Sequence, residues 1–269
     1  MCEIIDWDTE YPKVEWCGYV WQMDAESGRK IHPSKPYEYY HPSCVEVGMP
    51  RVFLSVKERP QKVKHWDNVV YDSKYARGML YSEDVFTYGV YTLDCVLPKG
   101  RNLHSSFWLT NAKYWPPEID IFEAYTNSIG SYTRFDMNPY FIGEPMLLRG
   151  RHLLSYAVES NVHYKNDFGN HTQIGAYRCR LRDLHKPTST PCNYKLRWAK
   201  DRITIWYDGV VVRDIHETDC PYMFEDLNVY PFMRVIINTG VFKDRPTKMK
   251  SDMVLNNFTY FGLGSEDFL

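Results

Sequence analysis

Apolar and polar residues alternate with period two along much of this chain. Across residues 91–97, Tyr91, Leu93, Cys95 and Leu97 interleave with Thr92, Asp94 and Val96, and across 194–198, Tyr194, Leu196 and Trp198 interleave with Lys195 and Arg197. Successive side chains of a strand point to opposite faces, so each run predicts a strand with one buried face. Residues 202–207 repeat the pattern with Ile203, Ile205 and Tyr207, and Asp208-Gly209 separates them from Val210-Val211-Val212. Asp-Gly between two such runs predicts a hairpin, because a type I′ turn needs positive φ at both central residues. Residues 153–159, 233–238 and 253–261 read as further strands, and one short helix is expected near 223–229. No segment of eleven or more residues keeps a clear helical stripe. The pattern predicts an all-β fold. With no repeat, low-complexity tract or Gly/Ser linker, one unit is expected across residues 1–269.

Charge and composition narrow the function. The 269 residues carry 32 basic and 34 acidic side chains, a net charge of −2, without runs of like charge, which argues against a nucleic-acid partner. No apolar stretch of about 18 residues suggests a membrane span, and the N-terminus Met1-Cys2-Glu3-Ile4 has no export leader. The seven cysteines form no C-x-x-C pair and are expected to be mostly reduced thiols. His171, Cys179, His185 and Cys192 lack ligand spacing, so no metal is expected there. The unusual feature is aromatic: 22 Tyr, 13 Phe and 8 Trp, more than a core alone usually needs.

Candidate chemistry concentrates in Trp115-Pro116-Pro117-Glu118-Ile119-Asp120-Ile121-Phe122-Glu123. Glu118 and Asp120 are two apart and share one strand face, with Ile119 on the other. Glu123 breaks that parity and would fall on the core side, where an unpaired carboxylate is costly. One extra residue, a β-bulge near Ile121-Phe122, restores it to the face of the other two acids. Glycoside cleavage uses two carboxyls flanking the scissile bond, one as nucleophile or base and one as proton donor. Glu118 and Glu123 fit these roles at a separation expected to give retention, with Asp120 between them to share a proton. Alternatively, three acids on one face are a solvated strand edge.

At these residues the sequence resembles glycoside hydrolase family 16, in the laminarinase- and agarase-like branch whose signature is Glu-x-Asp-x-x-Glu. The similarity extends upstream through Gly78-Met79-Leu80-Tyr81-Ser82, Tyr88-Gly89-Val90-Tyr91, Leu97-Pro98-Lys99-Gly100 and Ser106-Phe107-Trp108-Leu109. Downstream it includes Tyr194-Lys195-Leu196-Arg197-Trp198, Ile205-Trp206-Tyr207-Asp208-Gly209 and Met233-Arg234-Val235-Ile236-Ile237-Asn238. The resemblance implies a curved β-jelly-roll sandwich of the concanavalin A type, two antiparallel sheets with a concave sugar-binding groove. It implies an endo-acting retaining hydrolase of β-linked polysaccharide, β-1,3-glucan or red-algal galactan. Glu118 is then the nucleophile, Glu123 the general acid/base and Asp120 the assisting carboxylate. No cofactor is required. Relatives often carry a structural calcium held by an Asp in the closing strand, but Asn256 stands at that position here, which argues against it. A polysaccharidase is expected to act outside the cell; without a leader, the alternatives are a removed signal, or release from the cytoplasm by lysis or with a virus particle.

Six further residues are groove candidates, each with a plainer alternative. Trp115 either stacks on a sugar ring or packs at a strand end, and Trp108 either faces the groove or belongs to its apolar strand. Trp66 lies among polar loop residues, where an exposed ring is often functional. His163 falls where the resemblance implies a His beside the cleavage point, or it is a surface residue. Arg77 and Arg134 either bind an oxyanion of an anionic polymer or are solvated. Two other outcomes share the fold: a non-catalytic carbohydrate-binding protein, against which the three acids argue, and a transglycosylase, in which a sugar hydroxyl resolves the covalent intermediate.

Overall fold

The computed structural model describes residues 4–5, 12–24, 31–32, 34–65, 67–126, 156–180, 188–242, 244 and 246–264. Within them the alternating runs form two antiparallel sheets that pack face to face. The eight-stranded sheet runs in the order His171–Arg180, Tyr156–Lys165, Glu118–Tyr125, Leu103–Asn111, Met233–Val241, Met79–Ser82, Tyr19–Gln22 and Lys13–Trp16. The seven-stranded sheet runs Val210–His216, Arg202–Tyr207, Cys192–Trp198, Gly89–Val96, Met253–Gly262, Arg51–Leu54 and Val45–Gly48. A smaller sheet contains Glu38–Tyr40, Val56–Lys64 and Val70–Arg77. The all-β jelly-roll expectation holds.

Local chemistry explains the elements. Asp208 and Gly209 both have positive φ, at 49° and 78°, and Tyr207 pairs with Val210, as the Asp-Gly hairpin requires. The expected helix is Pro221–Val229, opened by a proline at its start and burying Met223, Phe224 and Leu227. Residues 153–155 lie outside the described residues, and the strand expected there runs Tyr156–Lys165. His171–Arg180, which the sequence reading did not single out, pairs with Tyr156–Lys165 at the end of the eight-stranded order.

Many of the aromatic rings pack the space between the sheets. Trp16, Trp21, Trp198, Tyr91, Tyr194, Tyr207, Phe107, Phe122 and Phe258 are fully buried, and Phe86 meets Tyr91, Phe258 and Tyr260 edge to face. Five described cysteines, Cys17, Cys44, Cys95, Cys192 and Cys220, are free thiols.

The bulge that the parity of Glu123 requires is present. Phe107 pairs with Phe122 and Trp108 with Asp120, so Ile121 has no opposite residue on that side. On the other side Asp120 pairs with Asn161 and Glu123 with Glu159, leaving Ser160 opposite two residues. Ile119, Ile121, Phe122 and Ala124 consequently all point into the core. A bulge interrupts the ladder, so its carbonyl needs another donor. The buried Tyr207 hydroxyl, from the opposite sheet, lies 2.7 Å from Ile121 O and 3.2 Å from Glu159 O. Arg213 adds bonds from Nε to Ser160 Oγ at 2.9 Å and from Nη2 to Ser160 O at 2.8 Å.

Tyr207→Phe should therefore leave a buried carbonyl unsatisfied and cost about 1–3 kcal/mol of stability, read as a lower urea midpoint. A loss below about 0.5 kcal/mol, well under the cost of such an orphaned carbonyl, would show that the bulge does not depend on this bond.

Candidate active site

The bulged strand presents its three acids to a cleft of about 720 Å³ on the outer face of the eight-stranded sheet. Glu118, Asp120 and Glu123 line it together with the rings of Tyr40, Tyr81, Trp108, Tyr114 and Trp115. Trp108 occupies the floor, where its Nε1 and the Ser106 hydroxyl both donate to Asn238 Oδ1, each at 2.9 Å. Trp115 is half exposed, and its Nε1 donates to Glu118 Oε2 at 2.9 Å. Its ring packs 4.7 Å from that of His171. Both Trp residues thus line the cleft while fixing polar neighbours.

Each acid is held differently. His163, directly opposite Glu118 in the ladder, brings its Nε2 to 3.8 Å from Glu118 Oε1 and 3.3 Å from Asp120 Oδ2. Burial, reinforced by the neighbouring Asp120, raises the Glu118 carboxyl to about 8. Burial and the charge of Glu123 push Asp120 well above the carboxylate range. Burial would also raise Glu123, but donated hydrogen bonds and nearby Lys35 bring it down to about 2. The donors are His104 Nε2 at 3.2 Å and the Tyr125 hydroxyl at 2.5 Å, both to Oε1. His104 and Tyr125 stack with ring centroids 4.6 Å apart and planes 4° from parallel, which fixes the pair of donors as a unit. Burial pulls His104 below the usual imidazole range, while its bond to Glu123 pulls the other way. These directions favour the proton on Glu118 and Asp120 and the charge on Glu123.

The remaining candidates separate. Arg77 is neither solvated nor free: it is buried beneath the cleft, stacked 4.0 Å over the Tyr40 ring, with Nη1 3.4 Å from Glu38 Oε1. It lines the cleft wall with its charge facing Glu38, so it is not the solvated surface residue of one alternative. Trp66 and Arg134 lie outside the described residues. Of the scattered His and Cys residues, His185 is also outside, and Cys192 is buried in the other sheet. His171 instead reaches the site, its Nε2 2.9 Å from His163 Nδ1.

Asn256 lies in the closing strand with its Nδ2 buried and unpartnered. Among the described residues no group of three carboxylate, His or Cys ligands gathers beside it. These residues do not fit a calcium site.

Sequence reasoning missed His104, Tyr125 and Lys35. Parity could have found the first two, since His104 shares a strand face with Ser106 and Trp108, and Tyr125 shares one with Glu123. Lys35 comes from an irregular segment between strands, so no periodicity points to it.

The chain's family comparison covers most of its length. The model described as glycosyl hydrolases family 16 matches residues 52–255. No curated protein matches the chain by sequence. Among solved structures it is similar to LamAcat from Zobellia galactanivorans, at 15% identity, covering 87% of this chain and 89% of that one, with a TM-score of 0.59. It is similar to the laminarinase catalytic domain from Thermotoga maritima MSB8, at 16% identity, 85% and 84% coverage and a TM-score of 0.57. A structure reported with endo-acting O-glycanases that human gut microbiota express to initiate mucin breakdown matches at 12% identity, 95% and 88% coverage and a TM-score of 0.65. At these identities the likeness is one of fold.

Replacing His104 by Phe, or Tyr125 by Phe, removes a donor that favours the ionised form of Glu123. Its midpoint, followed by carboxyl NMR, should rise from about 2 in each variant. An unchanged midpoint in both variants would contradict the assigned cause.

Proposed function

The chain belongs to glycosyl hydrolases family 16, and from that premise we propose that it is an endo-acting, retaining hydrolase of a β-linked polysaccharide. The observation that carries this reading is the bulge at Ile121, which turns Glu118, Asp120 and Glu123 together into one aromatic-floored cleft. The family's signature order supports the roles. Glu118 attacks the anomeric carbon and forms a glycosyl ester, while the Glu123 proton passes to the departing glycosidic oxygen. Glu123 then takes a proton from water, whose oxygen attacks the anomeric carbon, breaks its bond to the Glu118 carboxylate and frees Glu118. Asp120 keeps its proton throughout and shares it with Glu118.

The free protein holds these protons in the opposite order between the two glutamates. Its three acids carry two protons and one charge, and glycosyl transfer needs the same total with Glu118 charged and Glu123 protonated. Moving one proton between them suffices, and because the net charge is unchanged, sugar binding can favour the reactive form without a change of pH. A ring over Glu123 that displaces water and weakens the His104 and Tyr125 bonds would act in that direction.

Two features favour a neutral β-glucan over an anionic galactan as substrate. The cleft offers five aromatic rings for sugar faces, and Arg77 is already paired with Glu38. The laminarinase and endo-β-1,3(4)-glucanase structures with this fold point the same way. Such a polymer is met outside the cell, where we place the activity.

A reducing-end assay on laminarin, lichenan, agarose, porphyran and carrageenan should give oligosaccharides of mixed length from laminarin. With the polymer identified, azide distinguishes the two glutamates. Glu118→Ala with azide should yield the α-glycosyl azide, and Glu123→Ala should yield the β-azide, because only the second variant still forms the ester. Exchange of the two products would reverse the roles, and activity of Glu118→Gln at the wild-type rate would remove the catalytic assignment.

A further inference from the structure

Three electron-pair donors converge beside the cleft from two neighbouring strands. His163 Nε2 lies 3.3 Å from Asp120 Oδ2 and 3.8 Å from Glu118 Oε1, and all three atoms lie within 4.8 Å of one another. Asp120 is only 4% exposed, and its Oδ2 accepts no hydrogen bond although it points at the imidazole nitrogen. The tautomer explains this. The Asn161 amide, a donor, faces His163 Nε2 at 3.3 Å, so Nε2 carries the lone pair and Nδ1–H donates to His171 Nε2 at 2.9 Å. Nε2 then faces Asp120 Oδ2 across 3.3 Å, a gap that the Asp120 proton bridges in the free protein and that a metal cation can take in its place.

The spacing suits a small borderline metal ion. Ligands at about 2.0–2.1 Å around a tetrahedral Zn²⁺ are about 3.3–3.4 Å apart, close to the separation of His163 Nε2 from Asp120 Oδ2, and Glu118 Oε1, at 3.8 Å from the nitrogen, closes on it by a side-chain adjustment. One imidazole and two carboxylates match Zn²⁺ in ligand type and offset its charge, and the fourth position opens to the cleft. His171 completes the arrangement by bonding the other ring nitrogen, which fixes the orientation of a metal-binding imidazole. The stacked rings of His163 and His171, 5.1 Å apart, restrain both. Asn161 loses little when the metal takes Nε2, since its amide also donates to Gln173 Oε1 at 3.1 Å.

We propose that Glu118, Asp120 and His163 form a binding site for Zn²⁺ or a similar divalent transition metal, with His171 as its positioning residue. Metal there occupies Glu118, so metal binding and glycosyl transfer exclude one another. The inhibitory consequence rests on the proposed hydrolase, whereas the site itself does not.

The test uses the untagged full chain after chelator treatment, with Co²⁺ and Zn²⁺ as probes and no sugar present. One equivalent of Co²⁺ should bind with the intense visible absorption of tetrahedral coordination, and Zn²⁺ should displace it. His163→Gln should weaken Zn²⁺ at least about tenfold, and His171→Gln about 10- to 100-fold. His216→Gln, at the surface of the other sheet, should leave affinity unchanged. Melting curves identify any variant that fails to fold, and His171→Gln, which removes no direct ligand, decides the matter if His163→Gln is such a case. Octahedral Co²⁺ only, or affinity unchanged in the folded His variants, overturns the site. Because binding is read without substrate, the site can fail while hydrolysis stands, and hydrolysis can fail while the site stands.

Discussion

One buried hydroxyl holds the register on which the site depends. Tyr207 reaches across the core from the seven-stranded sheet to the carbonyl of Ile121, at the place where the catalytic strand carries one residue more than its neighbour. Without that extra residue a strand starting at Glu118 sends its sixth position into the core. With it, Ile121 and Phe122 both fill the sandwich, and Glu123 emerges beside Asp120 and Glu118. The fold accepts an interrupted ladder because the opposite layer supplies a donor within an otherwise apolar interior. Packing, hydrogen bonding and chemistry meet at this point.

The same register creates an electrostatic problem that the neighbouring strands solve. Three carboxyls sharing one half-dry face cannot all ionise, since each charge raises the cost of the next. The strand on one side brings His104, which with Tyr125 concentrates the single negative charge on Glu123. The strand on the other side brings His163, which faces the two acids that keep their protons. Proton exchange between Glu118 and Glu123 and metal capture at Glu118 and Asp120 are two outcomes of one arrangement. Both draw on carboxyls that the bulge has crowded together, with donors supplied from either side.

Much of this was legible in the sequence because it rests on periodicity. The break in parity at Glu123 announced the bulge, and Asp208-Gly209 announced the hairpin that leads away from Tyr207. What was not legible depends on contacts between distant segments. Tyr207 reads only as an inward strand residue until the opposite sheet is in place. Arg77 reads as a lone cation until Glu38 and Tyr40 arrive from another strand. His171 reads as part of a metal-free scatter, yet the ladder sets it diagonal to His163. The aromatic surplus divides: many rings pack the core, and five line the cleft. Trp66 and Arg134 lie outside the described residues.

The central claim is that the bulge sets Glu123 on the face of Glu118, so that Glu118 attacks the anomeric carbon as the nucleophile while Glu123 serves the departing oxygen. Covalent trapping reads this directly. A 2-deoxy-2-fluoro glycoside of the cleaved polymer, with an activated leaving group, slows hydrolysis of the ester so that the labelled peptide can be isolated and mapped by mass spectrometry. The account predicts one sugar per chain, attached to Glu118. A label on Glu123 or Asp120 would contradict it.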